Sequence, residues 1–175
     1  MIQDNPLNFG SDVESNNQWT DDIELILKNI LSNCVLMSDH HKQEHLQYSN
    51  RLKFYKLPII IFSGVNSIIS IGGSSFFSQG ATSFTNCFIS LIISIIGSIE
   101  LFLQINKRSD QELKSYYSFY NLSVKISTLL KLERNHREEH EPKIFLTNII
   151  NEYTTIFNEA LLNGLADDKL IKLNI

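Results

Sequence analysis

Charge is segregated along this chain, and that segregation restricts its folds. Glu100 is the sole charged side chain between Leu57 and Ile105, and every other Asp, Glu, Lys and Arg lies outside that region. The region divides into segments 57–78 and 81–105, which as helices would reach roughly 33 and roughly 37 Å. Because the hydrocarbon core of a bilayer is about 30 Å thick, each segment can cross it. The sequence therefore predicts a transmembrane helical hairpin with a short turn.

A buried hairpin inside a soluble helical bundle is the alternative to a membrane. Two helices that are apolar around nearly their whole circumference would then need cover on every side. The flanking segments have only one-sided apolar stripes, which cannot supply that cover. Residues 1–20 are polar and contain no apolar core after a basic start, which argues against a cleavable signal peptide. The membrane interpretation is therefore favoured.

Composition bears on the expected partners. The 175 residues include 19 Asp and Glu against 15 Lys and Arg, a mildly acidic balance. Such a chain is poorly suited to binding the phosphate backbone of nucleic acid, so no nucleic-acid partner is expected. The lipid bilayer is the first expected partner.

Basic residues at the borders of the apolar region predict its orientation. They precede the first span or follow the second, and the turn between the spans carries no charge. By the positive-inside rule, both ends of this multi-pass protein would lie in the cytoplasm. The flanking residues are Arg51, Lys53, Lys56, Lys107 and Arg108.

The segments outside the membrane have helical periodicity. From Asp21 apolar residues recur at helical spacing, and the same spacing continues into the first span. Pro142 is placed to open a further helix and Gly164 to end it. The predicted fold is all-α, a two-helix transmembrane hairpin continuing into a cytosolic helical stalk or bundle, which favours a homo-oligomer. The predicted parts are a flexible tail at 1–20, a cytosolic helix at 21–56, the hairpin at 57–105, cytosolic helices at 106–164 and a tail at 165–175.

Several motifs resemble those of uncharacterised two-span membrane proteins of giant DNA viruses. They are KLPIIIFSGVNSI, ISLIISIIGSIELFLQI, SYYSFYNLSVKI, LERNHR and FLTNIINEYTTIFNEALL, preceded by His41, His45, Tyr48 and Arg51. The resemblance covers Asp39 to the C terminus. The layout is also similar to SLATT domains, two-span effector modules that accompany bacterial nucleotide-sensing systems and are associated with membrane pores. The SLATT resemblance implies a pore-forming module, and the viral resemblance implies a host-cell or virion membrane.

Glu100 and Gln104 are the first candidate functional residues. Glu100 lies about five residues, or roughly 8 Å, inside the cytoplasmic end of the second span, and Gln104 follows one turn later. An unpaired ionisable group at depth in a membrane is costly and commonly functional. The alternative is that Glu100 pairs with Lys56 or Lys107, or bonds a Ser or Asn of the first span.

Each span also carries a stripe of polar side chains. The two stripes could line an ion path in an oligomer, with Glu100 favouring cations. Alternatively, they could serve packing, because small side chains let membrane helices approach closely. The stripes consist of Ser63, Asn66, Ser67, Ser70 and Ser74 on the first span and of Asn86, Ser90, Ser94 and Ser98 on the second.

The histidines raise an enzyme hypothesis. Residues 41–45 and 136–140 both match H-x-x-E-H, which places two imidazoles and a carboxylate on one helical face. In a straight helix pair the two motifs differ in height by about 20 Å, so they cannot share one metal. No acidic third ligand stands out. We therefore expect no enzyme, no metal and no cofactor, and we expect these histidines to lie on a helix surface or seam.

Two functions remain open. The first is a pore-forming or ion-conducting oligomer of the SLATT type. The second is a structural or scaffolding membrane protein of a giant-virus virion or infected-cell membrane, docked to an unknown cytosolic partner. The residues expected to dock that partner are Tyr116, Tyr117, Phe119 and Tyr120.

Overall fold

The computed structural model describes residues 18–137, 141–160 and 170–172. These residues are mostly helical and include no strand, which confirms the predicted all-α class. Most of both predicted tails, the predicted stop at Gly164 and the end of the second H-x-x-E-H motif lie outside the described residues. The helices are α1 (Asp21–Gly72), α2 (Gln79–Leu103), α3 (Ile105–Lys131) and α4 (Pro142–Glu159), with 3-10 turns at Gly73–Ser75 and Arg134–His136.

Helix α1 begins at Asp21, as the periodicity predicted, and it includes Pro58. The Thr20 hydroxyl accepts a hydrogen bond from the Ile23 amide at 3.4 Å, and the first turn is acidic. Both features stabilise a helix N terminus, because its amide groups lack partners within the helix and its dipole is positive there. The single helix expected to run from Asp21 into the first apolar segment is confirmed.

The turn between the apolar segments differs from its predicted position. Helix α1 ends at Gly72, six residues before the predicted boundary at Ser78. The Ser78 hydroxyl accepts a hydrogen bond from the Ala81 amide at 3.4 Å, and α2 therefore begins at Gln79. A Cβ at Gly73 would lie 3.0 Å from Thr82 Cγ2, so glycine permits the close approach of the chain at this turn.

The chain forms two compact units, each with its own packing. The three-helix unit comprises the described residues up to Asp39 and from Ser115 onward, and α4 packs in its core. Burial raises the pKa of Tyr153 in this core. The core side chains are Leu27, Ile30 and Cys34 from α1, Phe119, Leu122 and Ile126 from α3, and Phe145, Ile149 and Tyr153 from α4.

The hairpin unit comprises His40–Lys114, in which α1 runs antiparallel to α2 and the start of α3. Both apolar helices are long enough to cross a membrane. None of the most apolar stretch of α1 is buried, and only 11% of the most apolar stretch between Gln79 and Lys131 is. The core helix of a soluble protein would be mostly buried, so this exposure favours lipid as the surroundings of the hairpin.

Candidate functional site

The hairpin has two different faces, one on either side of the plane that contains its helices. The two helices meet on the sides that carry their half-buried residues. Examples are Asn66 and Ile69 on α1 and Ile89 and Ile93 on α2. A helix turns by about 100° per residue, so the position after an inward residue points sideways. Because the helices are antiparallel, these following positions on both helices lie on the same face of the hairpin.

Serine occupies this face on both helices. The Asn66 side-chain amide lies 3.4 Å from the Ser90 hydroxyl, which agrees with the shared face. We call the set the serine face, and all of its members are exposed. Its members are Ser63, Ser67, Ser70, Ser90, Ser94 and Ser98.

Large apolar side chains occupy the opposite face, at the positions that precede the inward residues. Each is between 41% and 74% exposed. We call this set the isoleucine face. The hairpin thus presents small polar groups on one side and large aliphatic groups on the other. The isoleucine face consists of Ile61, Val65 and Ile68 on α1 and Phe88, Ile95 and Ile99 on α2.

The serine hydroxyls bond mainly within their own helices. Ser67 donates to the Ser63 carbonyl at 2.9 Å, and Ser98 donates to the Ser94 carbonyl at 2.8 Å. Such bonds satisfy a hydroxyl without a partner helix. Packing between the two spans therefore accounts for Asn66 and Ser90 but not for the other serines. The side chain of Ser74 lies outside what the structure describes.

Two amide oxygens lie between the helices of the hairpin. Asn66 Oδ1 and Asn86 Oδ1 are buried and have no hydrogen-bond partner among the described residues. An acceptor that is buried without a donor costs free energy. A hydrogen-bond donor placed beside either amide oxygen would therefore stabilise the hairpin.

The register of the hairpin places Glu100 nearer the basic border of the apolar region than its position in the sequence suggested. A Cβ built on Gly97 would lie 4.0 Å from Ile59 Cδ1, so these two residues face each other. Because the helices are antiparallel, Glu100, three residues after Gly97, is level with Lys56, three residues before Ile59. Glu100 is half-buried and has no ion-pair or hydrogen-bond partner among the described residues. The expected pairing with Lys56 or Lys107 is therefore absent.

Gln104 interrupts the helix one residue before the predicted end of the second apolar segment. It adopts a left-handed conformation with φ 50° and ψ 34°, and its amide donates to the Leu101 carbonyl at 3.1 Å. Among the described residues it is the one non-glycine with positive φ. Together with Glu100, Lys107 and Asp110 it borders an open groove of about 750 Å³. The sequence predicted an uninterrupted span to Ile105 and did not predict this break.

The basic flanking residues all lie in the hairpin unit and are exposed. Lys53 contacts the side-chain oxygen of Asn50 at 3.4 Å. Arg51 lies over the Tyr48 ring, 5.8 Å from its centroid, and borders a second groove together with Arg108. These positions agree with the border of an apolar layer, where long basic side chains extend toward water.

A polar seam in the hairpin unit contains His41 and His45, which were expected on a helix surface or seam, but their partners on α3 were not predicted. His41 Nδ1 lies 2.6 Å from Glu112 Oε2, with the two side chains 0% and 1% exposed. One turn along, His45 Nδ1 lies 2.9 Å from the Ser109 carbonyl oxygen. The signal available in the sequence for these contacts was the spacing of the partners. His41 and His45 are four residues apart on α1, and Ser109 and Glu112 are three residues apart on α3. No group of three His, Cys, Asp or Glu side chains able to hold a metal occurs in the described part of the chain.

The predicted docking residues divide between the surface and the core of the three-helix unit. Tyr117 and Tyr120 are 54% and 48% exposed, and Tyr116 is half-buried. Phe119 is fully buried, with its ring centroid 6.4 Å from that of Tyr153. The assignment of Phe119 to a docking surface was wrong, because this position faces α4 in the core.

Comparison with known proteins finds a viral relative. Uncharacterized protein VP11 of Micromonas pusilla reovirus (isolate Netherlands/2005) is 24% identical over 133 residues, covering 76% of this chain and 68% of the relative. No family model matches the chain. No solved structure matches it. The similarity to a viral protein is thus supported, whereas that relative is a reovirus protein and provides no support for a giant-virus or SLATT resemblance.

Proposed function

We propose that this chain is a two-span membrane protein that assembles with further copies around a water-filled path and conducts ions through it. The observation that carries the proposal is the difference between the two faces of the hairpin. The serine face holds six exposed serines, and the isoleucine face holds six large apolar side chains.

A ring of hairpins would use both faces. With the serine face inward, hydroxyl and carbonyl oxygens would line the path, and the isoleucine face would meet lipid. A single hairpin in lipid has no use for this asymmetry, because lipid surrounds it equally on both sides. The contact within one hairpin uses Ser90 but leaves Ser63, Ser67 and Ser94 exposed.

Glu100 is suited to the cytoplasmic mouth of such a path. It is half-buried and level with Lys56, and it has no partner among the residues that the structure describes. An unpaired carboxylate beside a narrow path attracts cations. Substituting Glu100 with Gln should therefore reduce the ratio of cation to anion flux while preserving total conduction.

Ion flux across liposomes tests the proposal with neighbouring residues on opposite faces. Ser94→Leu places a bulky apolar group on the serine face and should abolish flux. Ile95→Leu changes shape on the isoleucine face and should leave flux unchanged. Equal flux from the wild type and Ser94→Leu, or equal losses in both variants, would contradict the proposal.

Cysteine accessibility tests the water path independently of conduction. In a Cys87→Ser background, a charged thiol reagent should modify Ser94→Cys quickly and Ile95→Cys slowly. Cys34 should stay silent, because burial raises the pKa of its thiol to about 12 and thiolate is the reactive form. Similar modification rates at residues 94 and 95 would show that water does not distinguish the two faces.

A second candidate function is that of a structural or scaffolding membrane protein, supported by exposed tyrosines and by the viral relative. Tyr117 and Tyr120 present aromatic surface at the side of the three-helix unit, and tyrosine is enriched at protein interfaces. A scaffold should be recovered in purified virions or infected-cell membranes. Its Tyr117→Ala/Tyr120→Ala variant should lose a co-purifying partner. Absence of the chain from both preparations would exclude this role.

A further inference from the structure

A groove beside the cytoplasmic end of the hairpin combines cationic and apolar surface. It has a volume of about 680 Å³. Its polar part is bordered by Tyr48, Arg51 and Arg108, so α1 and α3 each contribute an arginine to the same groove. Its apolar part includes Phe102 and Leu103, which are 86% and 41% exposed.

The charge of this groove has one sign. In the part of the chain that the structure describes, no Asp or Glu borders it. Among the described residues, neither guanidinium has a carboxylate partner, and Arg51 instead lies over the Tyr48 ring. Arginine forms paired hydrogen bonds to the oxygens of phosphate, and two arginines on different helices can bind one phosphate from two sides.

The position of the groove matches the headgroup layer of a bilayer. Arg51 lies six residues, or roughly 9 Å along the helix, outside the start of the apolar segment at Leu57. The polar layer on either side of the hydrocarbon core is several ångströms thick, and arginine side chains extend along it. Phe102 and Leu103 belong to the end of the second apolar segment, so the groove continues from guanidinium groups to surface suited to an acyl chain.

We propose that this groove binds the phosphate of an anionic glycerophospholipid, with Arg51 and Arg108 on the phosphate oxygens and an acyl chain along Phe102 and Leu103. This inference rests on the membrane embedding in the proposed function, but it does not depend on ion conduction. Basic pockets between membrane helices on the cytoplasmic side are suited to such headgroups. A lipid bound here would contact both helices of the hairpin.

Native mass spectrometry of the detergent-solubilised full chain tests the site. The probes are phosphatidic acid, phosphatidylcholine of the same chain length and inorganic phosphate, each titrated separately. Phosphatidic acid should bind most tightly. Arg51→Gln/Arg108→Gln should weaken its binding at least about tenfold, because charge-assisted hydrogen bonds are lost. Arg51→Lys/Arg108→Lys should retain part of the affinity, since the charge remains but the paired geometry does not.

The matched control removes an equal positive charge, two units, at lysines that do not border the groove. Lys53→Gln/Lys107→Gln should bind phosphatidic acid as the wild type does. Equal weakening in both double variants would overturn the site, because it would reflect overall charge alone. Binding of inorganic phosphate as tight as that of phosphatidic acid would overturn the lipid assignment. Failure of either kind leaves ion flux and thiol accessibility unchanged, so it is distinguishable from failure of the proposed function.

Discussion

Glu24 lies between two arginines in the three-helix unit. Arg134 Nε and Arg137 Nη1 each donate to Glu24 Oε1 at 2.8 Å, and Arg137 also lies over the Trp19 ring. The hydrogen bond from Arg134 chiefly, and that from Arg137 in addition, lower the pKa of Glu24 from 4.5 to about 2. Because the folded-state pKa is depressed, the stability from this group is complete above pH 4.5 and is lost as the pH falls toward 2.

The first prediction is that Glu24→Gln destabilises the protein by roughly 1–3 kcal/mol at neutral pH, because it deprives the nearly buried Arg137 of its anion. The difference from the wild type should shrink between pH 4.5 and 2, where the wild-type carboxylate gains a proton. Thermal unfolding in detergent at several pH values measures this difference in stability. Asp22→Asn, at an exposed neighbour in the same turn, is the control and should follow the wild-type profile. A pH-independent difference for Glu24→Gln would contradict the assignment.

His41 and Glu112 form a buried pair that should behave as one unit. Removing either partner leaves a polar group buried without its hydrogen bond, so His41→Leu and Glu112→Leu should each cost about 3 kcal/mol. The second prediction is that the double variant loses less than the two single losses together, since two apolar groups can pack. Unfolding of all four proteins in detergent gives the coupling energy. Additive losses would show that the two side chains do not interact in the folded protein.

At the scale of the helices, Gln104 separates α2 from α3 with a left-handed residue. This conformation brings the Cβ of an L-residue too close to the backbone and costs roughly 1–2 kcal/mol, whereas glycine adopts it without that cost. The third prediction is that Gln104→Gly raises stability by about 1 kcal/mol. Gln111→Gly, at an exposed position inside α3, should lower stability by a similar amount. Thermal unfolding of both variants compares them, and loss of stability in both would mean a regular helix at Gln104.

Local signals explain which helix ends were predictable. The starts at Asp21 and Pro142 follow from an acidic first turn and from a proline at the first helical position, and both depend on nearby residues alone. The end of α1 coincides with the Gly72-Gly73 pair, a local turn signal that the predicted boundary at Ser78 did not use. The break at Gln104 carries no such local signal, because periodicity along one chain does not show how the antiparallel helices meet.

The same reason explains what the sequence revealed of the candidate surfaces. Serine spacing identified the stripes, but only the inward positions show that both stripes lie on one face. Motif spacing identified His41 and His45, whereas their contacts with Glu112 and Ser109 require the register. Phe119 was assigned to the surface because an aromatic stripe does not indicate which side a third helix covers.

For the whole molecule, the decisive property is what surrounds the hairpin. Its most apolar stretches are almost entirely unburied, while the three-helix unit has a core of its own. Helix α4 packs within that core. The roles proposed for the serine face, for the groove beside Arg51 and Arg108 and for the flanking basic residues all require a bilayer around these segments.

The fourth prediction concerns this claim directly. When membranes from cells that express the chain are washed with alkaline carbonate, the chain should remain entirely in the membrane pellet, because two apolar helices hold it in the hydrocarbon core. It should enter solution only with detergent. Recovery of the chain in the carbonate supernatant, as a monodisperse species without detergent, would contradict the account.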